Sequence, residues 1–197
     1  MKIKEMTYYN HKINMPIVDL KNGTKIYGFD YIGDTQFSSI AIKNMQCFKQ
    51  HDLDNIDMFI TTEVKGIPFC ETVAKKYNKN YICLRKSSKI YMNNPVEFAS
   101  ESITSNKQCY YIDEDKLKSL ENKTVCFVDD VFSTGKTMDT IINICDKYKI
   151  NLKYGLFILY EAPINVDNIV STYITFVYKN ITCAASGILP MITYDIN

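Results

Sequence analysis

A repeated unit of short apolar run, polar loop and helix constrains this fold more than any other feature of the sequence. Apolar runs bounded by turn residues are typical of buried strands, and apolar residues at intervals of three and four are typical of helices. These patterns predict strands at residues 57–60, 81–84, 124–128, 154–160 and 172–178, and helices at residues 68–77 and 137–148. Strands that alternate with helices at this spacing pair in parallel through right-handed crossovers. We therefore expect an α/β fold with a mainly parallel central sheet flanked by helices.

The N-terminal part of the chain has a different pattern. Residues 25–32 alternate between apolar and polar side chains, which predicts a half-buried strand between two turns. Residues 35–50 carry apolar side chains at helical spacing, and Asp34 or Thr35 is the candidate N-cap. We expect residues 1–34 to form a small strand-rich segment ahead of the core.

The length of 197 residues suits one domain. We expect its core at residues 35–180 and a small hood made by residues 1–34 and 181–197. Residues 86–107 are polar and have no clear period, and such a stretch in a compact domain is usually a lid or a binding loop. A flexible lid is expected there, with a functionless insertion as the alternative.

Composition argues against several classes of function. The 23 basic and 22 acidic residues leave a net charge of +1, so no overall field favours nucleic acid or an anionic membrane. Seven cysteines without a Cys-x-x-Cys pair, and only two histidines, argue against a metal cluster. Scattered thiols indicate a reducing cytoplasm. No apolar run reaches the roughly 20 residues that a membrane span needs.

Residues 126–140 read CFVDDVFSTGKTMDT, and the Gly-Lys-Thr in this stretch is typical of a P-loop that binds nucleoside triphosphates. A P-loop needs another glycine five residues before Gly135, but Asp130 occupies that position. A carboxylate there does not fit the tight turn and repels a triphosphate. The sequence therefore disfavours a P-loop.

The same stretch is better interpreted as a site for a monophosphate beside a diol. An apolar strand leads into two acids, a loop rich in hydroxyls and glycine, and a helix. Backbone N–H groups of such a loop and of the helix N-terminus bind phosphate. Asp129 and Asp130 accept hydrogen bonds from a diol or suit a nearby Mg²⁺ ion. A phosphate beside a vicinal diol is a ribose 5-phosphate.

Residues 125–137, VCFVDDVFSTGKT, resemble the phosphoribosyl-pyrophosphate (PRPP) motif of the type I phosphoribosyltransferases. The resemblance implies that family's fold, with Mg²⁺ held near Asp129 and Asp130 mostly through PRPP and water. The residues implied to bind the ribose and the 5-phosphate are Asp129, Asp130, Val131, Ser133, Thr134, Gly135, Lys136 and Thr137. For Lys136, a contact with the phosphate and a solvent-facing position both stay open.

Two upstream segments resemble the same family, in the family's order. Residues 61–68, TTEVKGIP, resemble its pyrophosphate loop, and residues 85–89, RKSSK, resemble the Arg-Lys-x-x-Lys stretch of its purine branch. The residues implied to bind pyrophosphate are Thr62, Glu63, Val64, Lys65, Gly66, Arg85, Lys86 and Lys89. The implied catalytic residues are Lys65, Arg85, Asp129 and Asp130. In related dimers a basic residue of the second stretch reaches the partner's site, which implies a homodimer.

The acceptor base is less constrained than PRPP. Adenine enzymes carry an acidic residue in the flexible loop, where this chain has Thr104, with Glu101 nearby. For the base contacts, the chain ends offer Phe29, Tyr31 and Leu189, and strand or core packing is the alternative for these side chains. The resemblance implies a purine phosphoribosyltransferase of the salvage type, with adenine as the first candidate base. Alternatives are xanthine or another base, or a regulator that binds PRPP without transferring it.

Overall fold

The computed structural model of the protein describes residues 2–20, 23–45, 53–99, 109–164 and 166–192. Within these ranges, the strands are β1 (Ile3–Tyr8), β2 (His11–Asp19), β3 (Lys25–Tyr27), β4 (Met58–Thr62), β5 (Tyr81–Leu84), β6 (Pro95–Ala99), β7 (Cys109–Asp113), β8 (Thr124–Phe132), β9 (Asn151–Ala162), β10 (Ile174–Tyr178) and β11 (Ile181–Pro190). The helices are α1 (Thr35–Asn44), α2 (Gly66–Tyr77), α3 (Glu114–Lys118) and α4 (Lys136–Lys147).

Six strands form the central sheet in the order β10-β11-β9-β8-β4-β5. All neighbours pair in parallel except β10, which runs antiparallel to β11 at one edge. The predicted α/β fold with a mainly parallel sheet is therefore confirmed. The predicted strand at residues 81–84 matches β5, and the other predicted strands of this sheet differ from the observed ones at their ends.

Helices cover both faces of this sheet, and β8 shows why its sequence is apolar without alternation. Cys126 and Val128 point into the core beneath α1 and α2, whereas Val125 and Phe127 point into the core beneath α3 and α4. A strand buried on both faces needs apolar side chains at successive positions. None of the described helices is long and apolar enough to cross a membrane.

The N-terminal segment forms a separate antiparallel sheet in the order β1-β2-β3, as the strand-rich prediction required. The strand predicted at residues 25–32 is shorter, because the chain leaves the ladder after Tyr27. Helix α1 begins at Thr35, and Asp34 is its N-cap, accepting hydrogen bonds from the backbone N–H groups of Gln36 and Phe37. The predicted end of this helix at residues 46–50 lies outside the described residues.

Two predicted segments differ from the observed structure. Residues 181–190 are not part of a hood, because β11 lies inside the central sheet and pairs in parallel with β9. The segment at residues 86–107 is not wholly irregular, because β6 pairs with β7 in an antiparallel hairpin. The connection between these strands, with Glu101 and Thr104, lies outside the described residues, as do residues 193–197.

Replacing the N-cap of α1 tests the link between α1 and the N-terminal sheet. Asp34 also pairs with His11 of β2, with 2.5 Å between Oδ2 and Nε2. Asp34→Ala removes both contacts, and we expect the free energy of unfolding to fall by about 1 kcal/mol or more. Urea unfolding measures this change. The fully exposed Asp167 is the matched control, and Asp167→Ala is expected to change stability by less than about 0.5 kcal/mol. Equal effects in the two variants would contradict a stabilising role for these two Asp34 contacts.

Candidate active site

The three segments singled out in the sequence follow neighbouring strands of the central sheet. β4 pairs in parallel with β5 on one side and with β8 on the other. The carboxyl ends of parallel strands meet at one edge of a sheet, which is where ligands bind in open α/β folds. The pyrophosphate loop after β4 (residues 61–68), the basic stretch after β5 (residues 85–89) and the loop after β8 (residues 133–137, the phosphate loop) therefore lie together.

The phosphate loop joins β8 to α4 and leaves the start of α4 open. Gly135 is the N-cap, with a φ of 81° in the left-handed region that favours glycine. No side chain caps this helix, whereas Asp34 caps α1. The loop borders a cavity of about 80 Å³ lined by Ser133, Thr134, Gly135, Lys136 and Thr137. An uncapped helix N-terminus with two hydroxyl-bearing residues before it can receive a phosphate group.

The pyrophosphate loop has the same construction one strand away. Helix α2 begins at Gly66, and no side chain caps it. A Cβ atom at Gly66 would lie 2.4 Å from Thr61 Oγ1 and 2.6 Å from Asp129 Oδ1. Only glycine allows the loop to approach β8 this closely. The two uncapped helix N-termini thus lie on either side of the acidic pair.

Asp129 and Asp130 are both buried, each with about 8% of its surface exposed. The backbone N–H of Asp130 donates to Asp129 Oδ1 over 2.9 Å, and Thr62 Oγ1 donates to Asp129 Oδ2 over 3.3 Å. Burial and the neighbouring charge of Asp130 raise the pKa of Asp129 well above its ordinary value. A ligand that supplies hydrogen-bond donors or a cation to this pair stabilises the charged form of Asp129 and lowers its pKa.

Lys65 is the cation closest to the acidic pair among the described contacts. Its Nζ lies 2.7 Å from Asp130 Oδ2, within ion-pair distance but outside hydrogen-bond geometry. The ammonium also donates to the carbonyl oxygen of Phe29 over 2.7 Å. Tyr31 connects the pyrophosphate loop to α2, because its hydroxyl donates to the carbonyl oxygen of Lys65 and accepts from the backbone N–H of Phe69. Lys65 is thus positioned between the acids and the pyrophosphate loop.

The basic stretch is attached to the pyrophosphate loop through Glu63. The carboxylate of Glu63 accepts from the backbone N–H of Lys86 over 2.8 Å and lies 3.4 Å from the Arg85 guanidinium. Arg85 also exchanges two backbone hydrogen bonds with Tyr111 of β7, so the hairpin is connected to the same network. Lys89 donates to Ser87 and does not line the central cleft.

The central cleft has a volume of about 350 Å³ and is shared by residues from all three segments. Its lining includes Thr62, Glu63, Val64, Lys65, Lys86, Asp129, Asp130, Val131 and Thr137. Asp129, Val131 and Thr137 also line the cavity of the phosphate loop, so the two spaces adjoin. Three of the residues predicted to bind pyrophosphate do not line this cleft: Gly66, Arg85 and Lys89.

The residues present fit a magnesium ion that arrives with a ligand better than a resident one. Among the described residues, no group of three or more histidine, cysteine or acidic side chains is arranged to hold a metal ion. The buried Asp130 Oδ2 has only an ion-pair contact with Lys65 among the described contacts, outside hydrogen-bond geometry, so it can still accept from a metal-bound water. Two carboxylates alone leave most of an octahedral shell to water and phosphate oxygens.

The predicted base contacts are not available on the surface of this structure. Phe29, Tyr31 and Leu189 have exposed fractions of 4%, 2% and 2%, and all three pack in the core. Phe29 and Tyr31 stack on each other, with ring centroids 5.4 Å apart. The packing alternative therefore describes these side chains in the ligand-free protein, and their contact with a base stays a prediction.

The sequence motifs also missed two residues of the site. Glu161 lies next to the last residue of β9, beside the phosphate loop, and Ser133 donates a hydrogen bond to its carboxylate. Tyr110 of β7 lines the central cleft. The position of Glu161 at a strand's carboxyl end was a signal for it, whereas Tyr110 depends on a hairpin that the sequence pattern did not predict.

Comparison with known proteins agrees with this geometry. Residues 35–177 match the family described as the phosphoribosyl transferase domain. The chain belongs to this family. The match includes the pyrophosphate loop, the basic stretch and the phosphate loop, so it confirms the resemblance to the phosphoribosyltransferases drawn from these segments.

Named relatives of this phosphoribosyltransferase-family chain include enzymes and a repressor. It is 28% identical over 121 residues to the purine biosynthesis transcriptional repressor PurR of Bacillus subtilis, covering 61% of this chain and 41% of the repressor. It is 33% identical over 106 residues to a hypoxanthine/guanine phosphoribosyltransferase of Methanotorris igneus, covering 53% of this chain and 54% of that enzyme. It is 27% identical over 118 residues to an adenine phosphoribosyltransferase of Mycoplasmopsis synoviae, covering 60% of this chain and 65% of that enzyme. The chain thus spans less than two thirds of each of these relatives.

Solved structures show the same fold. The adenine phosphoribosyltransferase of Saccharomyces cerevisiae matches with a TM-score of 0.59 at 16% identity, over 74% of this chain and 84% of that one. The adenine phosphoribosyltransferase of Thermoanaerobacter pseudethanolicus matches with a TM-score of 0.57 at 18% identity, over 75% of this chain and 84% of that one. The expected phosphoribosyltransferase fold is therefore confirmed.

The raised pKa of Asp129 makes stability depend on pH in a direction that can be measured. An acid whose pKa is higher in the folded state binds more protons when folded, so stability falls as pH rises from about 3.9, the unfolded value, through the folded pKa. Asp129→Asn removes this titration. We expect the ligand-free variant to be more stable than the wild type at neutral pH and to have a flatter stability profile.

Urea unfolding across a series of buffers from mildly acidic to neutral pH measures this difference. The exposed Asp146 provides the control, since Asp146→Asn is expected to leave the profile unchanged. A less stable Asp129→Asn variant at neutral pH would show that the carboxylate is not under strain in the ligand-free protein.

Proposed function

We propose that the protein is a purine phosphoribosyltransferase, which converts a nucleobase and PRPP to a nucleoside 5′-monophosphate and pyrophosphate. The observation that carries this proposal is the buried pair Asp129 and Asp130 between two uncapped helix N-termini. PRPP has a phosphate at one end of its ribose, a pyrophosphate at the other and a diol beside the reacting carbon. The three parts of the site match these three parts of PRPP in kind and in order.

The site residues take roles that follow from their charge. Displacement of pyrophosphate from the anomeric carbon gives the ribose ring cationic character and the leaving group negative charge, as in glycoside cleavage. Asp129 and Asp130 accept from the ribose hydroxyls and favour the cationic ring. Lys65, Lys86 and the N-terminus of α2 stabilise the charge on the leaving pyrophosphate. For Lys65 this role requires its ammonium to turn from Asp130 toward pyrophosphate.

Magnesium is part of the proposal as an ion bound with PRPP, near Asp129 and Asp130. It would neutralise pyrophosphate oxygens and orient the leaving group. Glu63, which is itself an acceptor, would act by holding Lys86 and Arg85 in place rather than by binding an anion. Ser133, Thr134, Thr137 and the N-terminus of α4 would bind the 5-phosphate, with Val131 beside the ribose.

Adenine is the first base to test, because named relatives and solved neighbours include adenine phosphoribosyltransferases. The hypoxanthine/guanine relative supports the wider purine class, and xanthine stays an alternative. Purine salvage is the corresponding pathway. A homodimer is supported by the exposed Ile90 and Tyr91, which directly follow the basic stretch. The free thiols of Cys70, Cys83, Cys126, Cys145 and Cys183 support a reducing cytoplasm.

One observation favours a second candidate, a regulator that binds PRPP and transfers nothing. The repressor from Bacillus subtilis is similar to 61% of this chain, the largest share among the three relatives described. A phosphate loop, an acidic pair and a pyrophosphate loop suffice for binding PRPP. Turnover also requires a base site, and the base contacts predicted from the sequence are buried.

A base screen separates the two candidates. The protein is incubated with PRPP, Mg²⁺ and one of adenine, hypoxanthine, guanine or xanthine, and nucleotide and pyrophosphate are quantified. We expect stoichiometric formation of both products with one purine, adenine first. PRPP binding without turnover on any of these bases would favour the regulator, and absence of both binding and turnover would refute both candidates.

Removing the charges of the acidic pair tests the proposed mechanism. Asp129→Asn and Asp130→Asn are each expected to lower kcat/KM for PRPP by an order of magnitude or more, the scale of losing a positioned electrostatic contact. The effect should exceed that of Asp146→Asn, which changes an exposed acid on α4. Unchanged kinetics in both site variants would remove the acidic pair from the mechanism.

A further inference from the structure

A tyrosine outside the sequence motifs lies directly against the phosphate loop. A Cβ atom at Gly135 would lie 2.4 Å from the hydroxyl oxygen of Tyr178 and 2.5 Å from its Cζ. The phenol ring therefore contacts the loop backbone at its one left-handed residue. This contact excludes any side chain at Gly135 and prevents the loop from moving toward β10.

Tyr178 also contacts the residues that precede and follow the loop. Its ring packs edge-on against Phe132, the last residue of β8, with centroids 5.1 Å apart. Its hydroxyl donates to Asp139 Oδ1, in the first turn of α4, over 2.9 Å. One side chain thus joins the start, the middle and the end of the segment that would surround a phosphate.

The adjoining charges are arranged so that Asp139 does not oppose an anion strongly. Lys179 Nζ lies 2.8 Å from the same Asp139 oxygen that accepts from Tyr178. An acid in the first turn stabilises the helix N-terminus, but it also lowers the positive potential there. The hydroxyl and the ammonium compensate this carboxylate and leave the backbone N–H groups of α4 for a ligand.

The loop's own hydroxyl-bearing residues are less enclosed than Gly135. Ser133 and Thr134 are exposed, and the described side-chain contact of Ser133 is its hydrogen bond to Glu161. Tyr178 comes from β10, the antiparallel edge strand, and lies one residue beyond the family match at residues 35–177. Its contact with the loop is therefore not part of the motif by which the family is identified.

We propose that Tyr178 is a positioning residue that holds the phosphate loop in the shape that binds the 5-phosphate of the ribose ligand. The inference rests on the proposed function, because it takes the ligand of this loop to be a ribose 5-phosphate group. Tyr178 acts through Gly135, Phe132 and Asp139 and does not touch the phosphate. A loop that spends only a fraction of its time in the binding shape loses affinity in proportion to that fraction.

Calorimetric titration with two ligands tests this role, with ribose 5-phosphate as the probe of the loop and pyrophosphate as the internal reference. Tyr178→Ala removes all three contacts and is expected to weaken ribose 5-phosphate binding about tenfold or more, as for a loop that is competent a tenth of the time. Pyrophosphate affinity is expected to stay within about twofold, because its loop lies after a different strand.

Two further variants separate positioning from general stability. Tyr178→Phe keeps the ring contacts and loses the hydrogen bond to Asp139, so we expect a loss of about threefold. Val177→Ala changes the neighbouring residue of β10, which is 71% exposed, and is expected to leave both affinities unchanged. Steady-state kinetics should show a raised KM for PRPP with kcat nearly unchanged in Tyr178→Ala.

The outcomes distinguish this inference from the proposed function. Unchanged ribose 5-phosphate affinity in Tyr178→Ala, or equal weakening of both ligands, overturns the inference alone. If Tyr178→Ala does not fold, Tyr178→Phe decides, and an affinity equal to that of the wild type overturns it. A wild-type protein that binds neither ribose 5-phosphate nor PRPP overturns the proposed function together with the inference.

Discussion

Two adjacent carboxylates are held out of water at the end of β8, and the arrangement around them follows from what that burial costs. Charged groups in a low-dielectric site need a counter-charge or hydrogen-bond donors. Asp130 has Lys65 at 2.7 Å, whereas Asp129 has the backbone N–H of Asp130 and the Thr62 hydroxyl. The two hydrogen bonds to Asp129 lower its pKa, but burial and the charge of Asp130 outweigh them. The pKa of Asp129 therefore stays well above its ordinary value. The ligand-free site is thus prepared for a partner that brings hydroxyl donors and a cation.

The parallel sheet brings the remaining groups to this pair. Because β4 lies between β5 and β8, the loops that follow all three strands share one edge, and the two helices after β4 and β8 begin beside the acids. Gly66 allows the closest approach, and Gly135 makes the turn into α4. Neither helix has a side-chain cap, so their N-termini keep donors for anions. These two helices lack the stabilisation that a side-chain cap provides.

The parts that sequence reasoning predicted were those governed by local pattern. The strand-loop-helix units predicted the parallel sheet, and the acids before a hydroxyl-rich loop led to the proposed phosphate site, because both depend on neighbouring residues. Long-range packing decided the rest. Leu189 was assigned to a hood because nothing local shows that β11 enters the sheet beside β9. Phe29 and Tyr31 have an aromatic character that suits stacking on a base or core packing equally, and the fold shows only that they pack in the core. Tyr178 reaches Gly135 across 43 positions of sequence that no local pattern connects.

The claim on which both candidate functions depend is that this site binds PRPP through the acidic pair. Calorimetric titration of PRPP with Mg²⁺ into the wild type and into the double variant Asp129→Asn/Asp130→Asn tests it most directly, since no base is required. The account predicts saturable binding to one site per chain in the wild type and a loss of an order of magnitude or more in the double variant. Equal affinity in the two proteins, or no binding to the wild type, would contradict it.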